Sequence, residues 1–224
     1  QHIVTDSKVL QKYFLNRYHK KSTYIAYGAD VGRHEDDGFF EKYGLEKDKY
    51  FLQVCRLEPE NNTHLVIEEY KHVKTDYPLV ILGDAPHTVS YKRQLKQIAD
   101  PRVRFLGSVY GKGYDILRGN AFCYIHAHEV GGTNPALLEA LAAGNCVVAL
   151  NVSYNREVIG TAGLTFSKKP GSLSSVLKYV LQNPQLIDTF RKKAIQRIQE
   201  NYTWDFIISE YEKLFLDVIG RNNT

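Results

Sequence analysis

The sequence holds no methionine, a single tryptophan and three cysteines, and no apolar run approaches the length that a membrane-spanning helix needs. Each scarcity excludes something. Cys55, Cys123 and Cys146 lie far apart, each inside an apolar run and none in a C-x-x-C pair. That spacing argues against a disulfide framework or a zinc site and for reduced core thiols in a cytosolic protein. Charge of one sign is scarce too: a formal net charge of +4 spread along 224 residues leaves no basic stripe of the kind that marks a nucleic-acid binder. The chain opens on Gln1 without a charged-then-apolar leader, so a fragment of something longer is expected.

What is present is an alternation of two periodicities. Short blocks rich in β-branched and aromatic residues at 22–26, 50–55, 79–82, 103–106, 122–126, 146–150 and 164–166 read as strands. Several are apolar nearly throughout, as strands covered on both faces must be. Between them, 7–19, 62–74, 90–99, 135–143 and 173–181 carry helical spacing and are long enough for parallel crossovers. The expected fold class is α/β: a Rossmann-like doubly wound parallel sheet of about six strands, helices on both faces, and a crevice at the carboxyl ends of the strands. The front, 2–26, reads as strand, helix, strand, and the polar stretch 32–38 as a flexible loop. After Ser172 the chain becomes three helical stretches, the last of them amphipathic over 206–218.

Two loops after strands carry chemistry. In Cys55-Arg56-Leu57-Glu58-Pro59-Glu60-Asn61-Asn62 an arginine ends a strand, and asparagines suited to N-capping start a helix. The Arg56 guanidinium can hold two phosphate oxygens, or it can pair with Glu58 or Glu60; the residues alone leave both open. In His126-Ala127-His128-Glu129-Val130-Gly131-Gly132-Thr133-Asn134-Pro135, glycines admit a ligand to the backbone, Thr133 or Asn134 can cap the helix, and its free amides are expected to face an anion. Glu139 follows Pro135 on the same helical face and leans back toward the loop, where its carboxylate can take a ribose diol or merely favour the helix dipole. His126 is expected to be a hydrogen-bonded structural residue, and His128 leaves both readings open.

The block Gly131 to Ala140, with Arg56 to Asn62 before it, resembles the retaining glycosyltransferases of family 4, with the GT-B fold. Ile25 to Asp30, resembling the interdomain linker, Arg104 to Val109, and a tail running from Tyr202-Thr203-Trp204 to Tyr211 extend the likeness over essentially the whole chain. Within the family it is similar to bacterial transferases that build O-antigen or capsular sugars, of the rhamnosyl and hexosaminyl kind. The resemblance implies a C-terminal donor-binding lobe: residues 1–30 the end of the N-terminal lobe and the linker, 31–200 the nucleotide-sugar-binding domain, 201–224 a closing helix.

Carried over, Arg56 contacts the diphosphate, the backbone at Ser108 and Val109 meets the base, Glu139 holds the ribose, and Gly132, Thr133 and Asn134 donate to the diphosphate. Tyr110 and Lys112 flank the base loop and are expected to face solvent. Two departures stand out. Asn61 occupies the place of a usual lysine, and the position eight before Glu139, usually a glutamate, is Gly131, so Glu129 is the carboxylate available to read the sugar. Arg56 and Glu129 are the catalytic candidates.

The implied activity moves a sugar, with retention, from a nucleotide-diphosphate donor, expected to be UDP-linked, to a hydroxyl of a glycan or lipid-linked acceptor in surface polysaccharide synthesis. No metal or other cofactor is required, because arginine and the helix dipole neutralise the leaving diphosphate. The acceptor belongs to the N-terminal lobe, so this fragment is expected to bind donor without transferring it. No nucleic-acid partner is expected; the location is cytoplasmic, with peripheral association at the inner membrane face an option for the full protein. A sugar-nucleotide epimerase or phosphorylase of the same fold, or a non-catalytic nucleotide-binding module, remain the alternatives.

Overall fold

The computed structural model describes residues 2–34 and 37–222. A two-residue strand β1 (Val4–Thr5), helix α1 (Lys8–Tyr18) and strand β2 (Thr23–Tyr24) open the chain, with β1 and β2 paired in parallel. Then follow α2 (Asp37–Lys42), β3 (Phe51–Val54), a 3-10 turn at Pro59–Asn61, α3 (Thr63–Lys71), β4 (Leu79–Leu82), α4 (Val89–Ile98) and β5 (Val103–Gly107). The second half holds α5 (Gly111–Gly119), β6 (Cys123–His126), α6 (Pro135–Ala142), β7 (Val147–Leu150), α7 (Ser153–Ile159), β8 (Gly163–Phe166), α8 (Ser172–Gln182), α9 (Gln185–Asn201) and α10 (Trp204–Asn222).

Six strands form one sheet in the order β5-β4-β3-β6-β7-β8, every pairing parallel. The expected α/β fold class is therefore what the chain adopts. Alternation along each strand sorts the core into two layers. Leu52, Val80, Leu82, Tyr124, Val147 and Ala149 face α5, α6 and α9, whereas Phe51, Leu79, Ile81, Cys123, Ile125 and Val148 face α3, α4 and α8. All three cysteines are buried and unpaired. The chain leaves β3 toward one edge and β6 toward the other, so the gap between their carboxyl ends is the topological switch point where open α/β sheets bind ligands.

The tail folds back on the front. Ile25, Ala26 and Ala29 share a buried cluster with Ile207 of α10, the Ala29 amide donates to the Tyr202 carbonyl at 2.8 Å, and a Cβ on Gly28 would stand 2.6 Å from the Trp204 ring. Three helices were not foreseen from the sequence: α2, α5 and α7. Part of the expected loop at 32–38 is the start of α2, and its residues 35 and 36 lie outside the described residues.

Candidate functional site

A cleft of about 520 Å³ opens at the switch point, walled by the segments that follow four neighbouring strands. Cys55, Arg56, Glu60 and Asn61 follow β3; Gly83 and Asp84 follow β4; Ser108, Val109 and Tyr110 follow β5; His128, Val130 and Asn134 follow β6. Of the residues expected at the site, Arg56, Ser108, Val109 and Asn134 line this cleft. Glu129, Gly131, Gly132 and Thr133 line a second hollow of about 190 Å³ that shares His128, Val130 and Asn134 with it. The two are one crevice with a wide end and a narrow end.

At the wide end Arg56 is 74% exposed and, among the described residues, pairs with Glu58 at 3.3 Å. So exposed a pair contributes little to stability, and the guanidinium stays available to a ligand. Its backbone is fixed from behind by Asn61, which is buried and donates from Nδ2 to the Arg56 carbonyl at 2.7 Å. Asn61 thus positions the arginine loop. Asn62 stands at the N-cap of α3, yet its side chain makes no capping bond, contrary to expectation, because Nδ2 reaches across to the Ala127 carbonyl at 2.9 Å. That bond ties the loop after β3 to the loop after β6. Tyr110 faces solvent at the cleft edge with 83% exposure.

Glu139 lies behind this end. Its Oε2 accepts from the Tyr114 hydroxyl and from Arg118, both at 2.8 Å, and Arg118 also holds Asp115 at 2.8 Å. Burial first, and the Glu139 charge second, push the Tyr114 phenol up, so it remains a donor. Tyr114 itself lines the cleft, which sets the glutamate one residue back from the opening.

The α6 end corrects one expectation. Asn134 caps the helix, its side chain accepting from the Ala136 amide at 3.0 Å and the Leu137 amide at 3.4 Å. Those amides are therefore occupied by the cap before any anion arrives. Thr133 is buried, and its hydroxyl donates to the Asp6 carbonyl. Gly131 takes φ 140° with nothing near its missing Cβ, whereas a Cβ on Gly132 would overlap the Asp6 carboxylate at 2.0 Å. Glu129 is held by Lys168 and, at 3.4 Å, by Asn62; those bonds, the lysine's foremost, keep its carboxyl below the usual range.

Between the ends runs a column that sequence reasoning missed in part. Tyr124, His126 and His128 alternate along β6 and its extension, hence share one face. The two imidazoles stack at 4.4 Å between centroids, with Tyr124 below them at 6.3 Å from His126. His126 is fully buried and neither ring nitrogen has a partner among the described residues, which overturns its expected hydrogen-bonded role. Burial holds both histidines in the neutral form, His128 at about 4 and helped there by Arg56. His128 Nδ1 is buried without a partner among the described residues, so a neutral His128 offers the crevice Nε2 alone, as a donor or as an acceptor.

Asp6 was not anticipated as a site residue. It reaches the narrow end from a segment more than a hundred positions away in sequence, and no local motif marks it.

Comparison with known proteins places this geometry. Residues 35–197 match the family model described as glycosyl transferases group 1. An uncharacterised glycosyltransferase of Methanocaldococcus jannaschii is 25% identical over 96% of this chain and 58% of its own length. The O-antigen chain mannosyltransferase B of Escherichia coli is 27% identical over 70% of this chain and 42% of its own. The chain thus spans about half the length of these relatives. Among solved structures, a glycosyltransferase from Rickettsia africae superposes with a TM-score of 0.89 at 15% identity, covering 98% of this chain and 64% of that one. Anabaena HepE in complex with UDP and glucose gives 0.85 at 16%, covering 97% and 62%. At 15–16% identity the likeness to these structures is one of fold. The chain belongs to the group 1 glycosyl transferases.

Proposed function

We propose that this chain is the donor-binding part of a retaining glycosyltransferase that takes its sugar from a nucleotide diphosphate, with UDP as the nucleotide. The observation that carries the reading is Arg56: an available guanidinium, backed by a buried Asn61, at the switch-point mouth of a parallel sheet. It suits a diphosphate, which takes charge-assisted, bidentate hydrogen bonds. Ser108 and Val109 present backbone to a base at the far wall, Glu139 lies in reach of a ribose once Tyr114 shifts, and Glu129 with Lys168 flanks the sugar end. HepE, similar in fold, was solved with UDP and glucose, which supports the choice of nucleotide.

The catalytic contribution of this part is electrostatic. Arg56 meets the charge that gathers on the departing diphosphate, and a neutral His128 can donate to it without competing for a proton. No metal is invoked. Because the chain spans about half of its relatives, the acceptor is assigned to a lobe outside residues 1–224, residues 1–30 serving as the junction and 201–224 as the closing helix. An O-antigen or related glycan acceptor follows from the named relatives, and cytoplasmic action from the nucleotide donor. Among the described residues no helix is long and apolar enough to cross a membrane.

Calorimetry tests the reading directly. Arg56→Ala should weaken UDP binding by about 2–3 kcal/mol while leaving uridine nearly unchanged. Equal weakening of both ligands would show the arginine to be structural, and absence of UDP binding to the unaltered chain would remove the nucleotide assignment altogether.

A further inference from the structure

The narrow end of the crevice has a carboxylate, Asp6, that the capping of the helix after it does not use. Asp6 precedes α1, and an acid there commonly serves the helix. Here that service is already supplied. Ser7 caps α1, accepting from the Leu10 amide at 3.1 Å, and Glu157 accepts from the Lys8 and Val9 amides at 2.7 and 3.1 Å. Asp6 instead turns toward Gly132 and lines the 190 Å³ hollow with Tyr27, Glu129 and Tyr154. Its Oδ1 is buried against Gly132 without a hydrogen-bond partner among the described residues, and the charge that bears on it is another carboxylate, Glu157. Burial is the main cause lifting its carboxyl above the usual range, against the backbone amides of Asp6 and Thr133.

Such a group is costly to keep unless something meets it. The loop opposite lies close against it: a Cβ at position 132 would displace the carboxylate, and Thr133 fixes the Asp6 backbone from the same loop. The hollow is on the scale of one monosaccharide ring and continues the cleft assigned to the nucleotide. An acceptor-only carboxylate repels phosphate and takes hydroxyl donors. Glu129 faces the same hollow, but Lys168 and Asn62 already occupy its Oε2.

We propose that Asp6 is the hydroxyl-reading carboxylate of the sugar subsite, delivered by the N-terminal segment and seated by Gly132. The inference rests on the nucleotide-sugar reading of the cleft and deepens it. It makes donor recognition depend on the junction of 1–30 as well as on the sheet, so that the sugar is read only while that segment is docked.

The test is calorimetry on this chain with UDP, UDP-glucose, UDP-galactose and UDP-N-acetylglucosamine. At least one UDP-sugar should bind more tightly than UDP. For that ligand Asp6→Asn and Asp6→Ala should each lower affinity by about tenfold, the cost of one lost hydrogen bond to a charged acceptor, while UDP stays within about twofold. Gly132→Ala should reproduce the Asp6 loss by displacing the carboxylate, and its fall in melting temperature should shrink when Asp6→Ala is added. UDP binding that no sugar improves, or an Asp6 variant that keeps the sugar's advantage, overturns the proposal and leaves the nucleotide reading standing. A variant that loses UDP and UDP-sugar equally at unchanged melting temperature also overturns it, because Asp6 would then shape the loop alone. Failure of the unaltered chain to bind UDP overturns the nucleotide reading instead.

Discussion

Arg56 and His128 line the same cleft, yet the arginine is 74% exposed and touches one glutamate, while the histidine sits on a stack of rings and shares a wall with the buried Thr133 loop. The wide end is made of loops after β3, β4 and β5 that expose Arg56, Asp84, Ser108 and Tyr110 to solvent. The narrow end is locked from three directions: Asn134 caps α6, Thr133 binds Asp6, and Asn155 donates to the His128 carbonyl at 3.0 Å. In the proposed reading the ligand orders the wide end as it binds, whereas the narrow end selects with groups already in place. Preorganised groups discriminate among ligands at smaller entropic cost.

The first way to break this contrast is at the glycines, where it reverses. Gly83, at the floor of the open end, takes φ 127°, and a Cβ there would stand 1.9 Å from the Cys55 carbonyl oxygen. Gly131, at the locked end, takes φ 140° with nothing within 4 Å. Gly83→Ala should therefore cost about 4 kcal/mol in urea unfolding, from backbone strain and overlap together, and Gly131→Ala about 1–2 kcal/mol from strain alone. Equal losses would mean that the wide end is soft down to its floor.

These positions also show what was legible in the sequence. The strands β3, β4, β6 and β7 could be read because a strand buried on both faces is apolar nearly throughout, with Gln53 and His126 the polar exceptions. The helices α5 and α7 could not. Gly111, Gly113 and Gly119 depress the helical signal of the first, and the second has only seven residues, too few for its periodicity to register. Arg56 and the glycine loop were legible because they follow strands, and their mutual distance is fixed by the sheet; Ser108 and Val109 came from the family resemblance alone. Asp6 and the partners of Glu139 were not, since contacts across many residues leave no local pattern.

A second test asks whether the histidine column is as closed as it looks. Burial holds His128 at about 4, below the 6.5 of a free imidazole. Between those values the unfolded chain binds the proton and the folded chain does not. Stability contributed by the neutral ring is thus complete above pH 6.5 and lost as pH falls toward 4, at up to about 1.4 kcal/mol per pH unit. His126 moves in the same direction but is common to both proteins in a comparison with His128→Asn. Unfolding from pH 7 to 5.5 should cost the unaltered chain about 1.4 kcal/mol more than the variant. Parallel pH profiles would show that water reaches the ring, and the narrow end would lose its claim to be closed.

The smallest expected effect lies behind the wide end, at the glutamate proposed to read a ribose. Glu139 Oε2 already accepts from Tyr114 and Arg118, so a sugar diol gains only Oε1 unless Tyr114 turns away. With two donors bound in the free chain, the ribose replaces part of an existing network rather than filling an unmet acceptor. Glu139→Gln should accordingly cost about 1 kcal/mol of UDP affinity, less than a carboxylate with both oxygens free. The same substitution should cost close to nothing with a 2′,3′-dideoxyuridine diphosphate, which never offers the hydroxyls. The difference between the two ligands is the coupling between glutamate and ribose. Equal losses would assign Glu139 to the Tyr114–Arg118 network alone, and the wide end would then recognise its nucleotide through Arg56 and backbone without reading the ribose at all.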